Sequence, residues 1–364
     1  MNKITNIIKD LLPFGYIKKR NKKQFYNFLK GAQFGQGLYG SLPKEEPLFE
    51  KILAVQGFGF SGHTAGIDLL REYRTVLMPS DPQVIDDEGH YVSLPSIEVD
   101  FMRLAGGLME LEKYLGEDNI FQNDAATQRL IKLLGTCKFL QMNDECKKLT
   151  FAFVDSIIDF QISGLKAPLY NYHLQDGFFN NDSIYFLKHL KVAEYRTLVK
   201  DYLTSIFNTF YKEGKKFLIA DHLFSDLSVD LETRNGIVPN LKTIVIYRDP
   251  RDVYASAVLY NVDWIPHKEL NTFVKWWKSM LSNFDPQNGD VLFVKFEELV
   301  LNYEVTKNII EKYIGLNPQD QVYRYSCLNP DKSSANVGIW KKMTDREIAL
   351  SVIKKELSEF CFEQ

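Results

Sequence analysis

Five short apolar runs are spaced along the chain, and helical patterns fill most of the sequence between them. The runs are rich in β-branched and aromatic residues and end at glycine or at polar residues, which is typical of buried strands. They cover residues 52–57, 75–78, 217–221, 242–248 and 291–296. Alternation of strands with helices predicts an α/β fold in which helices flank a mostly parallel central sheet.

A long helix-rich stretch, at about residues 101–212, separates the second predicted strand from the third. Its candidate helices are Phe101–Leu115, Ala125–Leu140, Asp144–Phe160 and Ile184–Tyr211. The stretch is too long for a single crossover connection. We therefore predict a large helical insertion that covers the sheet and shapes a substrate cleft.

Residues 1–48 are predicted to form an N-terminal extension ahead of a catalytic domain over residues 49–364. Residues 1–23 carry seven lysines and arginines against one aspartate, and isoleucines and leucines recur there at helical spacing. Such a basic amphipathic segment binds an anionic membrane surface or packs as a helix on its own domain. Both interpretations stay open.

Composition excludes several classes of protein. The hydrophobic content of 45% and charged content of 25% are ordinary for a soluble domain. A net charge of −3 argues against general nucleic-acid binding. The four cysteines lack metal-ligand spacing and are expected to be reduced, which favours the cytoplasm. Membrane binding by the basic N-terminal segment would place the protein peripherally at the inner membrane face. The sequence contains no run of about eighteen apolar residues, so no membrane-spanning helix is predicted.

A glycine-rich turn follows the first predicted strand. Gly57, Gly59 and Gly62 lie between the strand and a helix that begins near Thr64. Glycines allow backbone N–H groups to approach an anion, and the positive end of the helix dipole points at the same place. This P-loop-type strand–loop–helix predicts a phosphate site, although His63 stands where nucleoside triphosphatases carry lysine. A turn without a ligand is the alternative.

The fourth strand ends at a second candidate for phosphate recognition. Arg248 closes the strand, Pro250 suits the first turn of a helix, and Ser256 follows eight residues after the arginine. An arginine can donate two hydrogen bonds to one phosphate, and a serine hydroxyl can reach the same group. The alternative is an arginine paired with Asp249 or Asp252.

Together these segments resemble the sulfotransferases that use 3'-phosphoadenylyl sulfate (PAPS) as donor. The resemblance extends over residues 52–342, with a strand and acidic turn at 291–300 and a G-x-W-K segment near the C-terminus. It implies that the loop holds the donor's 5'-phosphosulfate, that Arg248 and Ser256 hold its 3'-phosphate, and that no metal is needed. The donor-binding residues that it implies are Gly59, Phe60, Ser61, Gly62, His63, Thr64, Arg248, Ser256, Asn336, Gly338, Trp340 and Lys341.

The chain departs from this family at two places. Many cytosolic members have lysine where Phe60 stands, so stabilisation of the leaving phosphate falls to His63, Lys341 or backbone N–H groups. The C-terminal segment also lacks the Arg-Lys-Gly that some members place before Gly338. Bacterial and carbohydrate-directed members vary at both places, and the chain is expected to belong to that branch.

Sulfuryl transfer to a hydroxyl also needs a general base. His222 follows the apolar run 217–221 and falls on the histidine of a Lys-Thr-His-Leu run in cytosolic sulfotransferases, where that histidine is the base. A histidine near neutral pKa suits the task. Asp221, the other titratable residue at the end of this run, is a second candidate. Glu98 is a third, because carbohydrate sulfotransferases often use a glutamate as the base. A strand-end histidine with a purely structural role is the alternative.

The expected activity is transfer of a sulfuryl group from PAPS to a hydroxyl or amine of a glycan, glycolipid or small acceptor, with a carbohydrate favoured. Trp264, in a loop after the Ser256 helix, is the best aromatic candidate to face the acceptor, whereas Phe273, Trp276 and Trp277 are expected in the core. A P-loop kinase would need the loop lysine and acidic Mg²⁺ ligands. A degenerate nucleotide-binding module is the third possibility.

Overall fold

A computed structural model describes residues 32–79, 97–115, 120–137, 143–163, 183–224, 231–281 and 291–363. The chain divides into two compact units, one of residues 1–42 and 107–198 and the other of residues 43–106 and 199–364. The predicted amphipathic segment at residues 1–23 lies outside the described residues. No helix in the described ranges is long and apolar enough to cross a membrane.

The strands are β1 (Lys51–Gln56), β2 (Val76–Leu77), β3 (Ile158–Ser163), β4 (Ser183–Leu187), β5 (Phe217–Asp221), β6 (Leu241–Tyr247) and β7 (Val291–Lys295). The helices are α1 (His63–Arg71), α2 (Ile97–Lys113), α3 (Ile120–Thr136), α4 (Asp144–Ile157), α5 (Val192–Asn208), α6 (Leu231–Ile237), α7 (Pro250–Leu259), α8 (Leu270–Leu281), α9 (Phe296–Leu301), α10 (Tyr303–Ile314), α11 (Pro330–Ser333) and α12 (Glu347–Glu356).

The second unit is built on a five-stranded sheet in the order β2-β5-β1-β6-β7. Every strand pairing in this sheet is parallel, and Val55 of β1 lies in register with Asp221 of β5 and Ile244 of β6. All five predicted strands are therefore confirmed, as is the α/β class. Parallel strands deliver all their carboxyl ends to one edge, where open α/β sheets bind ligands.

Both faces of the sheet are buried, as the apolar runs predicted. Along β6, Ile244 and Ile246 pack with α1, α9 and α10, whereas Val245 and Tyr247 pack with α7, α8 and α12. Successive side chains of a strand point to opposite faces, so one uniformly apolar strand contributes to two cores. Phe273 and Trp277 are fully buried in the second core, which confirms their predicted place.

The first unit differs from the sequence prediction at two helices. The predicted helix Asp144–Phe160 ends at Ile157, and the predicted helix Ile184–Tyr211 begins only at Val192 as α5. Ile158–Ser163 and Ser183–Leu187 instead form β3 and β4, which pair antiparallel. Phe160 stacks on Phe186 across this pair, with centroids 4.4 Å apart. Cross-strand pairing of this kind stabilises strands whose local sequence also tolerates helix.

Candidate active site

The loop between β1 and α1 has the backbone geometry of an anion site. Gly62 is the N-cap of α1 with φ +81°, and no side chain among the described residues caps the helix. The first turn of α1 carries no acidic residue, so its N–H groups and the helix dipole are available to a negative ligand. Ser61 is fully buried, and its Oγ has no hydrogen-bond partner in the described part of the chain. An oxygen of a bound anion could accept a hydrogen bond from that hydroxyl.

Close packing requires glycine at position 62 and favours it at position 59. A Cβ on Gly62 would lie 2.4 Å from the ring of Phe296, and one on Gly59 would lie 1.8 Å from the indole ring of Trp264. The sequence predicts that Gly62 needs a backbone conformation or a close backbone approach that a side chain would block. The structure shows the positive φ and also direct contact with a core phenylalanine, so a side chain here would disturb the fold as well.

Phe60 occupies the loop position where many sulfotransferases carry lysine, and it does so with φ +60°. Its ring stacks with Tyr260 at 5.5 Å and with Trp264 at 5.7 Å between centroids. Tyr260 is 70% exposed and Trp264 is 61% exposed. The chain therefore presents three stacked aromatic rings beside the loop in place of a cation. Tyr260 was not singled out from the sequence, because a tyrosine at a helix end carries no distinctive signal.

Arg248 and Ser256, the predicted 3'-phosphate residues, lie together in the structure. Asp249 caps α7 through its side chain, and Pro250 is the first residue of the helix. This helix start places the Ser256 side chain beside Arg248 at the end of β6. Nη1 of Arg248 lies 3.4 Å from Oγ of Ser256, and both residues are buried. Nη1 also donates to the carbonyl of Phe60 at 3.3 Å. The arginine thus links the glycine loop to α7.

The predicted alternative partner, Asp252, has a different main role. Its carboxylate accepts hydrogen bonds from the backbone N–H groups of Gly338 at 2.8 Å and Trp340 at 3.0 Å. Its Oδ2 lies 3.7 Å from Nη2 of Arg248, which is too long for a hydrogen bond and allows only a weak ion pair. Asp252 therefore ties the G-x-W-K segment to α7. Its role could not be read from the sequence, since the bonded residues are 86 and 88 positions away.

The G-x-W-K segment lies directly against the arginine. Gly338 has φ +74° and caps a short 3₁₀ helix at Ile339–Lys342. Nη2 of Arg248 donates to the carbonyl of Asn336, and the guanidinium of Arg251 lies 4.2 Å from the ring centroid of Trp340. The neighbouring cavity measures only about 10 Å³, too small for a phosphate. A phosphate on Arg248 would have to replace these carbonyl contacts.

A cluster of His63, Asp221 and His222 forms at the carboxyl ends of β1 and β5. Oδ1 of Asp221 lies 2.8 Å from Nδ1 of His222 and 3.7 Å from Nε2 of His63. The two imidazole rings meet edge to face with centroids 4.1 Å apart. Asp221 is 5% exposed, and His222 adopts φ +46° immediately after the strand. We call these three residues the His–Asp–His cluster.

Electrostatics keep His63 neutral near pH 7. Burial, reinforced by the adjacent His222, lowers the pKa of His63 to about 4, although Asp221 opposes the shift. A neutral imidazole is not a cationic replacement for the missing loop lysine. His63 can still accept or donate a hydrogen bond, depending on its tautomer.

Glu297 is a buried acid that sequence reasoning noted only as part of an acidic turn. Its Oε1 accepts the backbone N–H of Asp249 at 2.9 Å, at the point where α7 begins. Its Oε2 has no hydrogen-bond partner among the described residues. Burial, with a smaller contribution from the carboxylates of Asp249 and Asp252, raises the pKa of Glu297 to about 7, although backbone hydrogen bonds oppose the shift.

The remaining predicted residues are less informative. Thr64 is in the first turn of α1 and exposed, and Lys341 is exposed on the 3₁₀ helix. Glu98 belongs to the first turn of α2, and its side chain lies outside the described part of the structure. The structure therefore brings together the loop, Arg248 with Ser256, the G-x-W-K segment and two of the three base candidates.

Comparison with known proteins finds no match to a protein-family description and no match to a curated protein sequence. Solved structures that are similar to this chain include two sulfotransferases. The sulfotransferase domain of the Synechococcus PCC 7002 olefin synthase is 11% identical, with 89% of this chain and 98% of that chain covered and a TM-score of 0.37. A sulfotransferase from Mycobacterium avium is 12% identical, with 88% and 78% covered and a TM-score of 0.35.

Proposed function

We propose that this chain is a sulfotransferase that transfers the sulfuryl group of PAPS to a hydroxyl. The observation that carries the proposal is the buried pair of Arg248 and Ser256 beside the glycine loop. β1 and β6 are adjacent parallel strands, so two anion sites arise side by side at one sheet edge. PAPS carries negative groups on both its 5' and 3' sides.

The 3' side distinguishes the candidate donors. ATP has no 3'-phosphate, so it would leave the Arg248–Ser256 pair without a phosphate to bind. A kinase would also need the loop lysine to meet its β- and γ-phosphates. His63 fills that position and is neutral near pH 7. The combination of an arginine–serine pair and a lysine-free loop therefore supports PAPS over a nucleoside triphosphate.

The reaction is an in-line displacement at sulfur. The acceptor oxygen forms a bond to sulfur while the bond from sulfur to the 5'-phosphate oxygen breaks, and 3',5'-bisphosphoadenosine leaves. We assign the acceptor proton to His222, which lies at the carboxyl end of β5 beside the loop strand β1. The carboxylate of Asp221, 2.8 Å from Nδ1, would stabilise the imidazolium that forms.

The exposed aromatic rings support a carbohydrate acceptor. Tyr260 and Trp264 flank Phe60 at the loop, and each presents a large exposed surface. A flat aromatic face of this kind stacks on the apolar face of a sugar ring while leaving its hydroxyls free. This part of the proposal depends on Tyr260 and Trp264 and not on Arg248 or Ser256.

Thermal unfolding tests the donor assignment directly. Bisphosphoadenosine at 100 times its Kd should stabilise the folded chain by about 2.7 kcal/mol, whereas ATP with Mg²⁺ should produce a much smaller shift. Radiolabelled PAPS incubated with a panel of oligosaccharides then tests transfer. Stabilisation by ATP–Mg²⁺ but not by bisphosphoadenosine would contradict the proposal.

A further inference from the structure

The His–Asp–His cluster has the composition of a transition-metal site. Two imidazole nitrogens and one carboxylate oxygen are ligands that Zn²⁺ and other divalent transition metals accept. Sites with two histidines and one carboxylate leave a coordination position open for water or substrate. The three side chains offer ligand atoms that all lie within 4.8 Å of one another.

The spacing of the donor atoms fits one shared ion. In a tetrahedral site with bonds of about 2.1 Å, two ligand atoms are separated by roughly 3.4 Å. Oδ1 of Asp221 lies 2.8 Å from Nδ1 of His222 and 3.7 Å from Nε2 of His63, which bracket that separation. All three ligand atoms lie within 4.8 Å of one another, so rotation of the side chains can bring them around one ion.

The buried Oδ1 of Asp221 has room in its bonding for a cation. Oδ1 of Asp221 is buried and makes no directed hydrogen bond with any described residue, although His222 Nδ1 is close to it. A buried carboxylate oxygen without a hydrogen bond is costly, because it has lost water without a replacement. A divalent cation between the oxygen and the two imidazoles would compensate for that loss.

We propose that His63, Asp221 and His222 bind one divalent transition-metal ion, and that the bound ion inhibits the enzyme by occupying the base. The effect on turnover depends on the proposed function, whereas the binding itself does not. An imidazole whose Nδ1 ligates a metal keeps its hydrogen on Nε2 and has no lone pair left to accept the acceptor proton. Metal occupancy and base catalysis at His222 therefore exclude each other.

Direct titration of the purified full chain with Zn²⁺ tests the site, and Co²⁺ serves as a spectroscopic probe because its visible absorption reports its coordination. We expect one ion per chain. Asp221→Asn and His222→Gln should each weaken Zn²⁺ binding by more than about 100-fold, since each removes a direct ligand. The exposed His189 lies outside the cluster, so His189→Gln should bind Zn²⁺ as the wild type does.

Circular dichroism and thermal unfolding identify any variant that fails to fold. His222 is 30% exposed, so His222→Gln keeps the test valid if the buried Asp221 does not tolerate substitution. No binding by the wild type, or undiminished binding by a folded cluster variant, would overturn the site. Co²⁺ absorption of six-coordinate character without nitrogen ligands would also overturn it.

Turnover separates this inference from the proposed function. We expect Zn²⁺ to reduce sulfuryl transfer in proportion to occupancy and a chelator to restore it. Unchanged or faster turnover of the metal-loaded enzyme would overturn the inhibitory role. If bisphosphoadenosine binds and Zn²⁺ does not, only this inference fails. If Zn²⁺ binds and neither bisphosphoadenosine nor PAPS does, the metal site stands and the proposed function fails.

Discussion

Replacing Arg248 by lysine is the most discriminating test of the proposed 3'-phosphate site. The guanidinium is 5% exposed and contacts the Phe60 carbonyl and the Ser256 hydroxyl through one nitrogen. Lysine keeps a positive charge near Asp252, so the variant avoids leaving a buried carboxylate unpaired. What lysine loses is the planar fork that donates two hydrogen bonds to one phosphate.

The expected loss follows from the number of bonds. A hydrogen bond to a charged group contributes about 1.5–3 kcal/mol, and the lysine retains one of the two. Arg248→Lys should therefore weaken binding of bisphosphoadenosine by about 2 kcal/mol, or about 30-fold in Kd. Adenosine 5'-monophosphate lacks the 3'-phosphate, so its affinity should change by no more than about twofold.

Isothermal titration calorimetry with both ligands measures the difference. Arg251→Lys is a matched control, because Arg251 is a second buried arginine, in the first turn of α7, and its own carboxylate partner is Asp249 at 2.5 Å. That control should affect the two ligands equally. If Arg248→Lys also weakens both ligands by the same factor, the arginine acts by holding the loop through the Phe60 carbonyl, and the assignment is wrong.

Three further predictions concern the base, a buried acid and the loop. His222→Ala should lower kcat by about 10²–10⁴-fold with donor Kd unchanged, measured with saturating PAPS; near-normal turnover would exclude it as the base. The pKa of Glu297 is about 7 in the folded state and about 4.5 in the unfolded state. Between these two pH values the folded state binds more protons, so the free energy of unfolding falls as the pH rises from about 4.5 to about 7. Denaturant unfolding at pH 5 and pH 8 should show that fall, about 2–3 kcal/mol, in wild type and not in Glu297→Gln; equal pH dependence in both would refute the assignment. Gly62→Ala should lower the unfolding free energy by about 2–3 kcal/mol through positive φ and contact with Phe296. Gly214→Ala, at φ +80° with open space around it, should cost only about 1–2 kcal/mol, and equal costs would mean that the Phe296 contact is unimportant.

The sequence alone determined the strands of the central sheet and the local parts of the site. Strands buried on both faces must be apolar throughout, so β1, β5, β6 and β7 could be recognised as continuous apolar runs. Arg248 and Ser256 could also be associated, because a strand end, a Pro250 helix start and a fixed helical rise determine where the serine lies.

The tertiary structure decided everything that depends on distant partners. β3 and β4 form because they pair with each other and stack Phe160 on Phe186, whereas their isolated sequences also fit helices. His63 meets Asp221 only because β1 and β5 are adjacent in parallel register, which no local pattern encodes. Spacing along the chain limits which residues can be neighbours within one element, but contacts between elements depend on which strands pair, and pairing is settled by packing of the whole sheet.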